Sequence, residues 1–339
     1  MLELSKGTQL AERYTLERPL GRGGEAETWL ARDRLTRASV ALKVVAATGE
    51  AGERLRQEWQ TNLRLMHAHI VRVFEFHEDQ GLAFYSLQYI DGADLGALTA
   101  QPLVDLLPPV GLIADALRYA HAKGIVHRDV KASNVLIDYN GAPYLCDFGV
   151  AAAVGALAGG GSPVAASPQS QQGEAAQPAD DVYALGVLLY ELISGAPPES
   201  SDAEPPPLRA VTGDAIPKPV QGLVARMLDR DAARRPTAGE VGDALRAAGF
   251  APGAARSQIA PRPVLADEPV QTVSAVRHTR AAGAETNATV APQSASGIRP
   301  VTLGVGLAVL VVVLLGVVFL LPDAVTEQDR PSAEQVAAP

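Results

Sequence analysis

The sequence predicts a chain of mixed strands and helices, α+β in class, followed by a C-terminal transmembrane helix, and three observations predict it. Apolar alternation in Ser39-Val40-Ala41-Leu42-Lys43-Val44-Val45 has the two-residue period of a half-buried strand. From Glu53 to Met66, the apolar residues Leu55, Trp59, Leu63 and Met66 fall three or four apart, the period of a helix. Val301 to Leu321 is an uncharged, Val- and Leu-rich run bounded by Pro300 and Pro322. At about 1.5 Å per residue it gives roughly 31 Å of helix, which matches a hydrocarbon core, whereas a soluble helix of that length would carry a polar face.

Composition bounds the rest. A chain of 339 residues has room for one large domain with additions. The net charge of −9 argues against nucleic acid or an anionic membrane surface as the main partner. Cys146 is the only cysteine, so no intramolecular disulfide can form, and it reads as a small buried hydrophobe. Met1-Leu2-Glu3-Leu4-Ser5-Lys6 lacks the basic and apolar regions of a signal peptide. Of 29 basic residues only five are lysine, at positions 6, 43, 123, 131 and 218. A chain that otherwise writes positive charge as Arg places Lys where a compact point charge would matter.

His127-Arg128-Asp129-Val130-Lys131-Ala132-Ser133-Asn134, followed by Asp147-Phe148-Gly149, carries the chemistry. Asp129 can accept a proton from a substrate hydroxyl, and Lys131 can neutralise phosphoryl oxygens. Asn134 and Asp147 are hard oxygen ligands for a divalent cation held between phosphates. Three residues alone would be a weak match; the eight-residue pattern with Asp-Phe-Gly at this distance is specific. It resembles the catalytic and metal-binding loops of eukaryotic-type (Hanks-type) bacterial serine/threonine protein kinases.

That resemblance spans about Tyr14 to Phe250 and implies a two-lobed fold, with a β-rich small lobe and a helical large lobe. It implies ATP with Mg²⁺ or Mn²⁺ as cofactors, and Ser or Thr hydroxyls of proteins as acceptors, Lys131 being the residue that points to Ser/Thr. Lys43 looks like the strand lysine that holds the α- and β-phosphates, and Glu58 like its ion-pair partner on the following helix. Gly21-Arg22-Gly23-Gly24 resembles the glycine-rich loop, with Gly21, Gly23 and Gly24 free to let backbone N–H groups approach phosphates. The loop departs from the family pattern at Glu25, Ala26 and Thr28. Tyr85 to Gly92 resembles the last strand and hinge, with Leu87 as gatekeeper and Gln88 to Ile90 offering backbone groups to adenine. Asp181 would hold the catalytic loop through its backbone. Ser167-Pro168-Gln169 stands where the family has a glutamate paired with Arg235, so a Gln–Arg hydrogen bond and a looser substrate-binding segment are expected.

The predicted organisation is an N-terminal extension (1–13), a kinase domain (14–250), a disordered linker (251–300), the transmembrane helix (301–321) and a short extracytoplasmic tail (322–339). The linker has no aromatic residue and no sustained period, so it cannot bury enough apolar surface to offset ordering entropy. Arg299 before the span and Asp323, Glu327, Asp329 and Glu334 after it favour a cytoplasmic kinase domain in a single-pass cell-membrane protein, with its C-terminus outside. Self-association and autophosphorylation are further expectations, and the tail is too short for a folded sensor domain. Val150 to Pro168 holds no Thr, and neither Ser162 nor Ser167 is placed to meet Arg128, so control by phosphorylation of this segment is not expected. The competing reading is a membrane-anchored pseudokinase used as a nucleotide-binding scaffold. Glu25, Ala26 and Gln169 favour it and the full catalytic set opposes it.

Overall fold

Alternating apolar residues build the first part of the chain into one antiparallel sheet. In the computed structural model, which describes residues 4–23, 26–156, 164–198 and 207–253, its strands are β1 (Gln9–Leu10), β2 (Tyr14–Gly23), β3 (Ala26–Asp33), β4 (Ser39–Ala46), β5 (Val73–Asp79) and β6 (Leu82–Gln88). They lie in the order β1-β2-β3-β4-β6-β5. Val40, Leu42 and Val44 of β4 face a core with Leu10, Tyr14, Leu16, Trp29 and Phe84. The opposite face carries Lys43 and Val45, by the two-residue parity of a strand. Leu10 is fully buried, so the stretch read as an N-terminal extension supplies a strand to this sheet.

The helix α1 (Ala51–Leu63) covers that second face, packing Leu55 against Val45, Val73, Ala83 and Tyr85. Its inward line is Gly52, Leu55, Glu58 and Asn62, which differs from the apolar stripe expected from the sequence. Leu63 is 44% exposed, and Met66, 68% exposed, lies beyond the helix end. This inward line sets Glu58 against a cationic and a hydroxyl donor on the sheet.

The large lobe is helical. It contains α2 (Leu103–Ala122), a short α3 (Pro168–Gln171), α4 (Pro178–Ser194), α5 (Lys218–Met227) and α6 (Ala238–Ala247). Two-residue or slightly longer strands edge it: β7 (Gly92–Asp94), β8 (Ile125–Val126), β9 (Val135–Asp138), β10 (Pro143–Leu145) and β11 (Ala152–Ala153). Nearly every residue of α4 from Asp180 to Ile193 is buried, so it is the axis on which α2, α5 and α6 pack. A glycine is required at Gly92, where a Cβ would collide with the Ile137 carbonyl oxygen of the adjoining strand.

Residues 64–71 join α1 to β5 and rest on the large lobe. The Met66 N–H donates to the Tyr119 hydroxyl (3.2 Å), Leu145 N–H to His69 C=O (2.9 Å) and Val71 N–H to Leu145 C=O (2.9 Å). The linker beyond Gly253, the span 301–321, the tail, the loop tip at Gly24 and Glu25, and Ser162 lie outside the described residues. Among the described residues no helix is long and apolar enough to cross a membrane.

Candidate active site

β4, α1 and the segment after β10 bring three of the sequence-predicted residues to one point. Lys43 Nζ donates to Glu58 Oε1 and to Asp147 Oδ1, each at 2.7 Å. Burial works against the Lys43 charge, but the two carboxylates outweigh it and hold the ammonium above its ordinary range. Burial likewise pushes the Asp147 carboxyl up, and Lys43 more than offsets this, leaving it below its ordinary value. Asp147 has a left-handed backbone (φ 64°), an uncommon conformation that turns its side chain toward Lys43 while Phe148 is buried against His127, their rings 4.4 Å apart. A Cβ at Gly149 would crowd Asp147 Oδ1 (3.1 Å) and Glu58 Oε2 (3.2 Å).

The loop between β8 and β9 is held from beneath by Asp181, whose side chain is fully enclosed. It accepts from the backbone N–H of His127 (2.8 Å) and of Arg128 (2.7 Å) and pairs with His121 Nε2 (2.7 Å). Arg128 adopts φ 69°, a strained conformation made possible by this clamp. Asp129 follows, nearly buried. Its Oδ2 accepts from Lys131 Nζ (2.7 Å) and from Asn134 Nδ2 (2.9 Å), whereas its Oδ1 is buried with no hydrogen-bond partner among the described residues. A buried carboxylate oxygen kept open in this way is an acceptor awaiting a donor.

The Cys146 N–H donates to the Asn134 carbonyl at 2.9 Å, tying the Asn134 turn to the residue before Asp147. Asn134 spends its amide nitrogen on Asp129, which leaves Oδ1 as the atom suited to a cation. Among the described residues no group of three or more His, Cys, Asp or Glu could hold a metal unaided. Two hard oxygen ligands are what Mg²⁺ needs when phosphates and water complete its shell, so the donor set fits a cation that arrives with a nucleotide.

The nucleotide-facing residues are placed as follows. Gly21 pairs with Thr28 and Gly23 with Ala26 across the β2–β3 hairpin, and a Cβ at either glycine would meet nothing within 4 Å. Both are open to close approach from the cleft side or solvent. Gln88 ends β6, and its N–H is consumed by the Arg72 carbonyl (2.8 Å). Ile90 lies between β6 and β7 with neither of its backbone groups in a backbone hydrogen bond among the described residues.

Two features escaped the sequence reading: a hydroxyl donor to Glu58, and the carbonyl acceptors that supplement the expected Gln169–Arg235 hydrogen bond. The Tyr85 hydroxyl donates to Glu58 Oε1 at 2.7 Å, a bond hinted at only by the strand register that sets Tyr85 opposite Lys43. Arg235 is not left short by the Gln169 substitution. Its guanidinium donates to Gln169 Oε1 (2.6 Å) and to the carbonyls of Asp229 (2.8 Å) and Ala179 (2.9 Å), and it lies over the Tyr183 ring. Backbone carbonyls thus accept from donors that the missing carboxylate would have served.

A family model described as the protein kinase domain matches residues 14–244. The chain belongs to the protein kinase domain family. This kinase-family chain is 33% identical over 280 residues to the serine/threonine-protein kinase PkaA of Streptomyces coelicolor, the match covering 70% of this chain and 50% of the relative. It is 32% identical over 266 residues to the DNA damage-responsive serine/threonine-protein kinase RqkA of Deinococcus radiodurans, covering 70% of this chain and 40% of that protein. With the serine/threonine-protein kinase PknA of Mycobacterium tuberculosis the identity is 34% over 235 residues, or 59% of this chain and 53% of the relative. The kinase-family chain thus spans about half the length of the curated relatives it matches. The family uses ATP and a divalent metal in general.

Proposed function

We propose that this chain is an ATP-dependent serine/threonine protein kinase, transferring the γ-phosphoryl group of ATP to hydroxyls of protein substrates. The observation that carries this reading is the buried Oδ1 of Asp129, unpartnered among the described residues, beside an Oδ2 already fixed by Lys131 and Asn134. A substrate hydroxyl donating to Oδ1 would be oriented for attack on the γ-phosphorus. As the new P–O bond forms and the bond to the β–γ bridging oxygen breaks, its proton passes to Asp129. Lys43, aimed by Glu58, would neutralise the α- and β-phosphates, and Lys131 the oxygens of the group in transfer. A divalent cation held by Asn134 and Asp147 would neutralise charge on the phosphates. The glycines of the β2–β3 hairpin and Ile90 offer backbone donors and acceptors for the nucleotide. The named relatives, all serine/threonine-protein kinases, support the choice of acceptor.

The test is phosphate transfer from labelled ATP by the wild-type chain and by Asp129→Asn and Lys43→Met. Both variants should fold and should each lose at least about 100-fold in kcat/KM, because the two side chains act mainly in the transition state. Wild-type rates in both would overturn the assignment. A wild-type chain that binds ATP and transfers nothing would be a scaffold instead.

We further propose that Val301 to Leu321 tethers the chain to the cell membrane with the kinase domain cytoplasmic. Its support is the uncharged run itself, together with Arg299 before it and the acidic tail after it.

A further inference from the structure

Glu58 Oε1 accepts two donors, Lys43 Nζ and Tyr85 Oη, both at 2.7 Å. Lys43 and Tyr85 are directly opposite one another in the β4–β6 register, so their side chains leave the same face of the sheet toward α1. The two donors differ in what they could do without Glu58. Lys43 already holds a second carboxylate, Asp147, at 2.7 Å and could keep its charge paired there. The Tyr85 hydroxyl has no such alternative. The residue is 2% exposed, its ring is fixed in the cluster of Val45, Leu55, Val73 and Ala83, and among the described residues Glu58 is the one hydrogen-bond partner of its hydroxyl.

We infer that Tyr85 is a positioning residue for phosphate transfer, its buried hydroxyl holding Glu58, and through it α1 and Lys43, in the arrangement that points Lys43 into the cleft. The inference rests on the kinase reading above. A buried hydroxyl deprived of its acceptor is unfavourable, so any movement of α1 that withdraws Glu58 is opposed by Tyr85 even when Lys43 is satisfied elsewhere. Lys43–Glu58 alone would hold α1 weakly, because Asp147 competes for the same ammonium. Burial, with the Glu58 carboxylate adding to it, keeps the phenol un-ionised well above its ordinary range, so the group remains a donor across the working pH.

The test is a double-mutant cycle on the full chain: wild type, Tyr85→Phe, Glu58→Ala and the pair. Two quantities are read for each, amide hydrogen exchange in peptides covering residues 51–63 and kcat/KM for ATP in phosphate transfer. Phenylalanine keeps the ring and removes only the hydroxyl. Tyr85→Phe should speed exchange in α1 and lower kcat/KM for ATP, each by about tenfold, as expected for a hydrogen bond to a charged group. In the Glu58→Ala background the same substitution should cause no further loss in either. Wild-type exchange and kinetics in Tyr85→Phe would overturn the inference. So would an equal loss in both backgrounds, which would mean that the hydroxyl matters for packing and not through Glu58. If the wild-type chain transfers no phosphate, the kinase reading falls, while the exchange half of the cycle still decides whether Tyr85 holds α1.

Discussion

Cys146 adjoins Asp147 and donates weakly from Sγ to the Asn134 carbonyl (3.4 Å). Burial, reinforced by the Asp147 charge, pushes its thiol up to about 12. At pH 8 the thiolate fraction is then on the order of 10⁻⁴, and the thiolate is the nucleophile. The folded chain should resist iodoacetamide at pH 8 for hours and take up one equivalent once denatured, as read by intact mass. Because the chain has one cysteine, stoichiometric labelling of the native protein within minutes would disprove this directly. At this scale the site was largely legible. Lys43, Asp129, Asn134 and Asp147 are polar residues in a fixed order, and the structure pairs Lys43 with Asp147 and Asp129 with Asn134. Tyr85 was not, because a tyrosine in an apolar strand reads as a hydrophobe. Its hydroxyl meets a carboxylate 27 residues away that only the packing of α1 brings within reach.

Elements were legible where a period is uniform, and less so where a functional group governs orientation. β4 follows its alternation over Ser39–Ala46. α1 follows its apolar stripe at Leu55 and Trp59 and departs from it at Leu63, which is exposed, while Glu58 turns inward to Lys43 and Tyr85. The turn into α3 shows the same limit. A motif comparison registers Gln169 as a lost charge, but the amide works in both directions, accepting from Arg235 and donating from Nε2 to the Arg230 carbonyl at 2.9 Å. Ser167 adds a second anchor by donating to Asp180 Oδ1 at 2.6 Å. Gln169→Ala should therefore cost about 2 kcal/mol, since it removes two bonds and leaves a buried guanidinium one acceptor short. Gln169→Glu keeps the bond to Arg235 but sets a carboxylate against the Arg230 carbonyl, and should fall between alanine and wild type. Urea midpoints of the three proteins measure this. Equal midpoints for Ala and wild type would show that the carbonyls alone satisfy Arg235.

On the scale of the whole molecule, the two lobes meet at Lys43–Asp147 and along the connection from α1 to β5, where backbone bonds join His69 and Val71 to Leu145. These contacts explain why residues far apart in sequence form one site, and sequence periodicity does not report them. The proposed membrane span rests on sequence alone: the run from Val301 to Leu321 has no charge to oppose insertion, and as a helix it would be roughly 31 Å long, the thickness of a hydrocarbon core. Among the described residues, the cores of both lobes are built from residues between Leu10 and Leu245. Deleting residues 301–339 should therefore move the protein from the membrane fraction to the supernatant while leaving its thermal midpoint and its kcat on a soluble substrate unchanged. The full-length protein should resist carbonate extraction and yield to detergent, because an apolar helix in the hydrocarbon core is held by its own transfer free energy and not by surface charge. Release of the full-length protein by carbonate would rule out a span. Retention of the truncated protein in the membrane fraction would move the attachment to another part of the chain.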